Sequence, residues 1–145
     1  MKDLKVISPA KINLNLKILG RRNDGYHNIQ TLFQILKFGD EMTFSIDSGN
    51  KITVDAGQEI ENNIVLDAAK LLQEKTSSAI GCHIQINKKI PLGGGMGGGS
   101  SNAATTLLVL NHLWKINLSK TELLEMGRRL GADVPIFIIG ESALA

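Results

Sequence analysis

The stretch Pro91-Leu-Gly-Gly-Gly-Met-Gly-Gly-Gly-Ser-Ser-Asn-Ala-Ala-Thr-Thr106 decides how this chain is read. Six glycines fall within seven positions, interrupted only by Met96. Glycine at that density fills no core; it removes Cβ atoms so that backbone N–H groups can approach something closely, at a conformational cost. Ser100, Ser101 and Asn102 follow with N-cap chemistry, and the segment through His112 is predicted as a helix. A glycine-rich turn feeding a helix N-terminus gathers unpaired donors and the positive dipole end at one point, which suits phosphate. A flexible linker is the plainer alternative, but linkers do not usually open into a capped, alanine-rich helix. The Walker A pattern fails, because no Lys-Ser or Lys-Thr pair follows the last glycine. Gly93, Gly95 and Gly98 fit the dinucleotide pattern G-x-G-x-x-G. That pattern wants a first-strand position and an acid at a later strand end, whereas Glu122 and Glu125 fall in a predicted helix.

Working outward, residues 5–19 alternate, with Ile12, Leu14, Leu16 and Ile18 on one face and Lys11, Asn13, Asn15 and Lys17 on the other. Period two predicts a strand with Lys11 and Asn13 on its polar side. Arg21 to Gly25 reads as a turn around Asp24-Gly25, and 28–38 as a further strand. A hairpin is predicted from Met42, Phe44 and Ile46 through Ser48-Gly49-Asn50 to Ile52 and Val54. Asn62 or Asn63 caps a helix carrying Ile64, Val65, Ala68, Ala69, Leu71 and Leu72. Residues 82–87 alternate with Ile84 and Ile86 inward. Ser119 with Glu122 forms a capping box for a helix to about Leu130, which Gly131 stops. Val134 to Ile139 is a β-prone run. The order predicts an α+β fold, a two-layer mixed α/β sandwich over residues 1–145. The abrupt end after the last predicted strand suggests a piece of something longer.

Composition narrows the function. At 145 residues and 43% hydrophobic content the chain builds one ordinary core, mostly of Ile, Leu and Val because aromatics are only 4%. A net charge of +2, spread over doublets such as Lys88-Lys89 and Arg128-Arg129, makes no stripe for nucleic acid or for a membrane surface. Cys82 is the single cysteine, so an internal disulfide is excluded, and a reducing, cytoplasmic compartment is expected. It reads as inert packing, and His83 and His112 as surface residues. No His or Cys pair has metal-ligand spacing. Asp133, between a helix stop and a predicted buried strand, either caps structure or points out at a strand mouth. Most strand lysines are solvated, so Lys11 alone says little, and the same holds for Tyr26-His27.

Read together, these pieces resemble one family. The glycine segment is similar to the phosphate loop of the galactokinase, homoserine, mevalonate and phosphomevalonate (GHMP) kinase superfamily. Ser8-Pro-Ala-Lys-Ile-Asn-Leu14, Gly20-Arg-Arg-Asn-Asp-Gly-Tyr-His27 with Gln30-Thr-Leu-Phe-Gln34, and Leu130-Gly-Ala-Asp-Val-Pro135 agree with it in order. The form with two glycine triplets resembles the branch of the non-mevalonate isoprenoid route. That resemblance implies ATP-dependent phosphorylation of the 2-hydroxyl of 4-diphosphocytidyl-2-C-methyl-D-erythritol, with Mg²⁺ arriving on ATP. It also implies an N-terminal ATP-binding domain (ribosomal-protein domain-2-like) whose C-terminal companion is absent here. By motif, Asp133 would be the catalytic base, or a group that aligns the hydroxyl, and Lys11 its cationic partner. Pro91, Leu92, Gly93, Gly94, Gly95, Met96, Gly97, Gly98, Gly99, Ser100 and Ser101 would wrap the ATP phosphates, with Asn63, Ile64 and Lys88 near adenine. Asn13 would hold the methylerythritol end. Tyr26 would stack on cytosine and His27 hydrogen-bond to it, with Phe33 nearby. Another small-alcohol kinase, a noncatalytic nucleotide-binding module and, by fold analogy, an RNA-binding domain are the alternatives.

Overall fold

The computed structural model describes residues 3–21, 27–57, 63–76, 80–91, 97–140 and 143–144; the side chains of 13–21, 27–33 and 143–144 lie outside that description. Among the described residues nine elements follow one another: β1 (Leu4–Arg21), β2 (His27–Asp47), β3 (Ile52–Asp55), α1 (Ile64–Gln73), β4 (Gly81–Asn87), α2 (Gly98–Leu113), α3 (Lys120–Leu130), α4 (Val134–Ile139) and β5 (Ala143–Leu144). The sheet order is β1-β2-β4-β3, with β5 pairing with β2. β1–β2 and β2–β4 are antiparallel, while β3 runs parallel to β4.

The helices and the sheet meet across one core. Met42 and Phe44 of β2 and Cys82, Ile84 and Ile86 of β4 point into it. Val65, Ala68, Ala69 and Leu72 of α1 answer from one helix face, and Ala103, Ala104, Leu107 and Leu110 from α2. β4 alternates as expected, with His83, Gln85 and Asn87 exposed. The two-layer α+β architecture is the expected one, and α1 and α3 start where their caps predict. Asn63 Oδ1 accepts from the N–H groups of Val65 and Leu66 at 3.1 and 3.2 Å, and Ser119 and Glu122 close a capping box.

Three expectations fail. The predicted strand of 28–38 continues unbroken to Asp47, and Ser48-Gly49-Asn50 does not close a hairpin: β3 passes over to β4 and pairs parallel to it. Local turn chemistry cannot tell a hairpin from a crossover when a later strand offers a better-buried partner. Val134 to Ile139 is helix, not strand. Pro135 lacks the N–H a ladder needs but suits a first helical turn. An apolar run without polar punctuation has no period by which to choose. Gly127 of α3 lets α4 close in, since a Cβ there would lie 2.7 Å from Ile138 Cδ1. Finally, the pairing of β1 with β2 shifts between Pro9 and Lys11. Beyond that irregularity Lys11 is 4% exposed, whereas Ile12 is 36% exposed, the reverse of the amphipathic expectation.

Candidate active site

The first turn of α2 organises the site. Its N-cap is Gly97, at φ 73° and ψ 27°, a left-handed conformation that suits glycine, and no side chain caps the helix. No acidic residue stands in that turn. Its opening N–H groups have no partner within the helix and receive no side-chain cap, and they stand at the positive end of the dipole. Ser100, Ser101 and Asn102 do not cap: the helix begins at Gly98, so all three lie inside it, and Ser101 and Asn102 are buried. A serine or asparagine at the cap would have filled the acceptor position that the glycine leaves open.

Other elements converge there. A Cβ on Gly97 would fall 2.8 Å from Phe137 Cζ and 3.3 Å from Lys11 Cε, so the β1 lysine and α4 both reach the start of α2. A Cβ on Gly99 would meet Ile64 at 3.9 Å. The Gly131 turn lies against the same place, with its Cβ position 3.8 Å from Ile64 Cδ1 and 4.0 Å from Ser100 Oγ. Two residues on, Asp133 occupies the N-cap position of α4 but makes no capping bond with its side chain, and it is half-buried. Phe137, one helical turn further along α4, is the residue against Gly97. Lys11, Ile64 and Gly131 thus each approach the first turn of α2, at Gly97, Gly99 and Ser100 respectively. Asp133 stands at a helix start and not at a strand mouth, because the run that follows it coils.

Asn63 and Lys88 have structural partners. The carboxamide oxygen of Asn63 is engaged with the amides of α1. Lys88 Nζ donates to Asp40 Oδ2 at 2.7 Å and Asn102 Oδ1 at 2.9 Å, and lies 3.3 Å from where a Gly98 Cβ would be. Lys88 also borders a cavity of about 440 Å³ at the ends of β3 and β4, with Asp55, Gly57 and Asn87 among its walls. Pro91 is exposed at the entry to the glycine segment. Leu92, Gly93, Gly94, Gly95 and Met96, together with Tyr26, lie outside the described residues. So do the side chains of Asn13, His27 and Phe33, although the β1–β2 register sets Asn13 opposite Phe33.

Asp40 was not singled out by the sequence reading. It is fully buried, and its carboxylate accepts from the N–H groups of Lys89 (2.5 Å) and Ile90 (2.8 Å), from Lys88 Nζ and from Asn102 Nδ2 (3.1 Å). Burial alone would push its pKa up, but the Ile90 N–H, the Lys88 ammonium, the Lys89 N–H and the Asn102 amide outweigh it and hold the carboxyl below its ordinary value. The signal was available: Asp40 shares the parity of Met42 and Phe44, and an acid in core-facing register demands partners. Elsewhere, burial pushes the Cys82 thiol up to about 12, which leaves it unreactive at neutral pH. Among the described residues, no group of three or more His, Cys, Asp or Glu side chains is placed to hold a metal, and no helix is long and apolar enough to cross a membrane.

Comparison with known proteins gives this geometry a family. The model of the GHMP kinases N-terminal domain matches residues 63–141, just over half of the chain, and takes in α2, the glycine segment and Asp133. The chain belongs to the GHMP kinases. It is 54% identical over 141 residues to 4-diphosphocytidyl-2-C-methyl-D-erythritol kinase of Pseudoalteromonas atlantica, covering 95% of this chain and 49% of that protein. The namesake of Pseudomonas fluorescens is 51% identical over 145 residues, at 98% and 51%. A crystal structure of 4-(cytidine 5'-diphospho)-2C-methyl-D-erythritol kinase superposes with a TM-score of 0.87 at 37% identity, covering 98% of this chain and 51% of that one. This GHMP kinase chain spans about half the length of the curated relatives it matches.

Proposed function

We propose that the protein is an ATP-dependent kinase that phosphorylates the 2-hydroxyl of 4-diphosphocytidyl-2-C-methyl-D-erythritol, a step of non-mevalonate isoprenoid synthesis. One observation carries the reading: an acid-free helix start with no side-chain cap, Lys11 against its N-cap glycine, and Gly131, two residues before Asp133, beside Ser100. Phosphoryl transfer needs positioning and charge stabilisation more than covalent help from the protein. Residues 91–101 wrap the ATP phosphates, with the backbone N–H groups between Leu92 and Ser100 as donors, and the helix dipole favours the phosphate charge. Asp133 receives the proton of the 2-hydroxyl as that oxygen bonds to the γ-phosphorus and the bond to the bridging oxygen breaks, releasing ADP. Lys11, an ammonium held in a nearly dry position, offsets charge at the reacting end. Mg²⁺ arrives with ATP and neutralises phosphate charge.

Adenine is assigned to the side of Ile64 and the cavity beside Lys88, with Asn63 acting there by holding α1 in place. Asn13, Tyr26, His27 and Phe33 form the acceptor end, where Asn13 holds the methylerythritol and the aromatic pair takes the cytosine. The cytoplasm, where ATP is made, is the compartment this reaction needs. ADP release coupled to a spectroscopic readout, with ATP and the cytidyl alcohol present, tests the reading in the full-length protein. Turnover should require both substrates. Lys11→Ala and Asp133→Ala should each lower kcat by about 10²–10⁴-fold without loss of fold. ATP binding with no acceptor-dependent ADP release would leave a nucleotide-binding module and overturn the kinase.

A further inference from the structure

The residues on either side of the glycine segment, Lys88–Ile90 before it and Gly98–Asn102 after it, are joined by a buried polar cluster. On the entry limb, the N–H groups of Lys89 and Ile90 donate to Asp40 Oδ1. On the exit limb, Asn102 donates through Nδ2 to Asp40 Oδ2 and to Ser8 Oγ (2.9 Å). Lys88 Nζ spans the two, bonded at once to Asp40 Oδ2 and Asn102 Oδ1. Ser8 Oγ meets Ser101 Oγ at 2.8 Å, so β1 is tied to the same turn. Every polar atom of the Asn102 carboxamide and both oxygens of Asp40 are engaged, and each donor faces an acceptor. The limbs also touch directly, since a Cβ on Gly98 would lie 3.3 Å from Ile90 Cγ2.

We propose that Asp40 is a positioning residue for the phosphate-holding segment: one buried carboxylate clamps its entry to its exit and so sets where its amides point. This rests on the kinase reading given above. A glycine-rich loop is the least self-ordered backbone available, and amides act on developing charge only if they are in place beforehand. A carboxylate suits the task because it accepts four bonds in two directions, which an amide cannot do. A core filled with leucine at the same place would be as well buried and would specify no such geometry.

Asp40→Asn in the full-length protein tests this. An asparagine turns its NH₂ either on Lys88 Nζ and Asn102 Nδ2 or on the two backbone N–H groups, so donors face donors whichever way it sits. KM for ATP should rise roughly tenfold to a hundredfold, while KM for the acceptor alcohol stays within about twofold. Hydrogen exchange should quicken in peptides spanning 91–101 and stay unchanged at the far end of α2. Leu107→Ala, which destabilises that far end, should leave KM for ATP where it was. An unchanged KM for ATP, equal rises for both substrates, or unaltered exchange over 91–101 would overturn the proposal. If Asp40→Asn does not fold, Asn102→Ala breaks the exit tie and leaves Asp40 paired with Lys88 and the backbone; an unmoved KM for ATP would then be equally fatal. A wild-type protein without ADP release sinks the kinase reading by itself, and the exchange result still decides whether Asp40 orders the segment.

Discussion

Helix α2 is buried along both halves, but its first half mixes polar side chains with Ala103 and Ala104, whereas its second half buries apolar ones. Its first turns bury Ser101, Asn102, Thr105 and Thr106, with Asn102 and Ser101 bonded to Asp40, Lys88 and Ser8. Its later turns bury Leu107, Val109 and Leu110 and lead to Trp114, within the cluster that includes Leu72. Apolar burial stabilises in rough proportion to area and is indifferent to small displacements. Buried polar groups cost free energy in every arrangement except the one that satisfies them. The helix therefore draws its stability from its far end and its placement from its near end, where an anion would sit.

That contrast can be broken from either end. The largest change is expected from Leu107→Ala, a fully buried leucine, at about 2–5 kcal/mol of lost stability by urea unfolding; ATP binding by the folded fraction should not move. A shift in ATP affinity would mean that the two ends are not separable. Gly97→Ala acts at the near end: an alanine at φ 73° is strained and its Cβ collides with Phe137. A cost of about 1–2 kcal/mol is expected from the backbone conformation alone. ATP affinity measured by calorimetry should fall with it, and an alanine variant binding ATP normally would remove this turn from the site.

Acid separates the ends further. Asp40 titrates below its ordinary value of 3.8 in the folded protein, so its contribution is present above that value and is lost as pH falls through the depressed one. Urea unfolding at pH 5 and at pH 3 should show a drop in wild type and in Leu107→Ala alike, and a flatter response in Asp40→Asn. The smallest effect belongs to Lys115, just past the end of α2, which holds φ 55°. Lys115→Gly relieves about 1–2 kcal/mol of left-handed strain against about 0.5–1 kcal/mol of added chain entropy, a net gain of at most about 1.5 kcal/mol. Thermal unfolding would show it, and kcat should be unchanged.

The elements that were legible carry their cause locally. Asn63 meets amides two and three residues on, Ser119 and Glu122 answer each other across three positions, and β4 alternates because one sheet face is covered. The glycine segment stood out by residue type, whereas Lys11 and Asp133 stood out only through the family resemblance of the motifs around them. What could not be read depends on partners far away in the chain. β3 prefers β4 to β2, and α4 coils because Pro135 blocks a ladder and Gly127 admits it against α3. Lys11 faces inward because the β1–β2 pairing slips beside it.

By itself the sequence determined the caps of α1 and α3 and the alternation of β4, since both depend on neighbours within a few residues. Only the tertiary structure decided that Lys11 turns inward, that Asp133 begins a helix and that Asp40 joins both limbs of the glycine segment. Those outcomes depend on which distant groups share a dry interior, where each buried donor must find an acceptor.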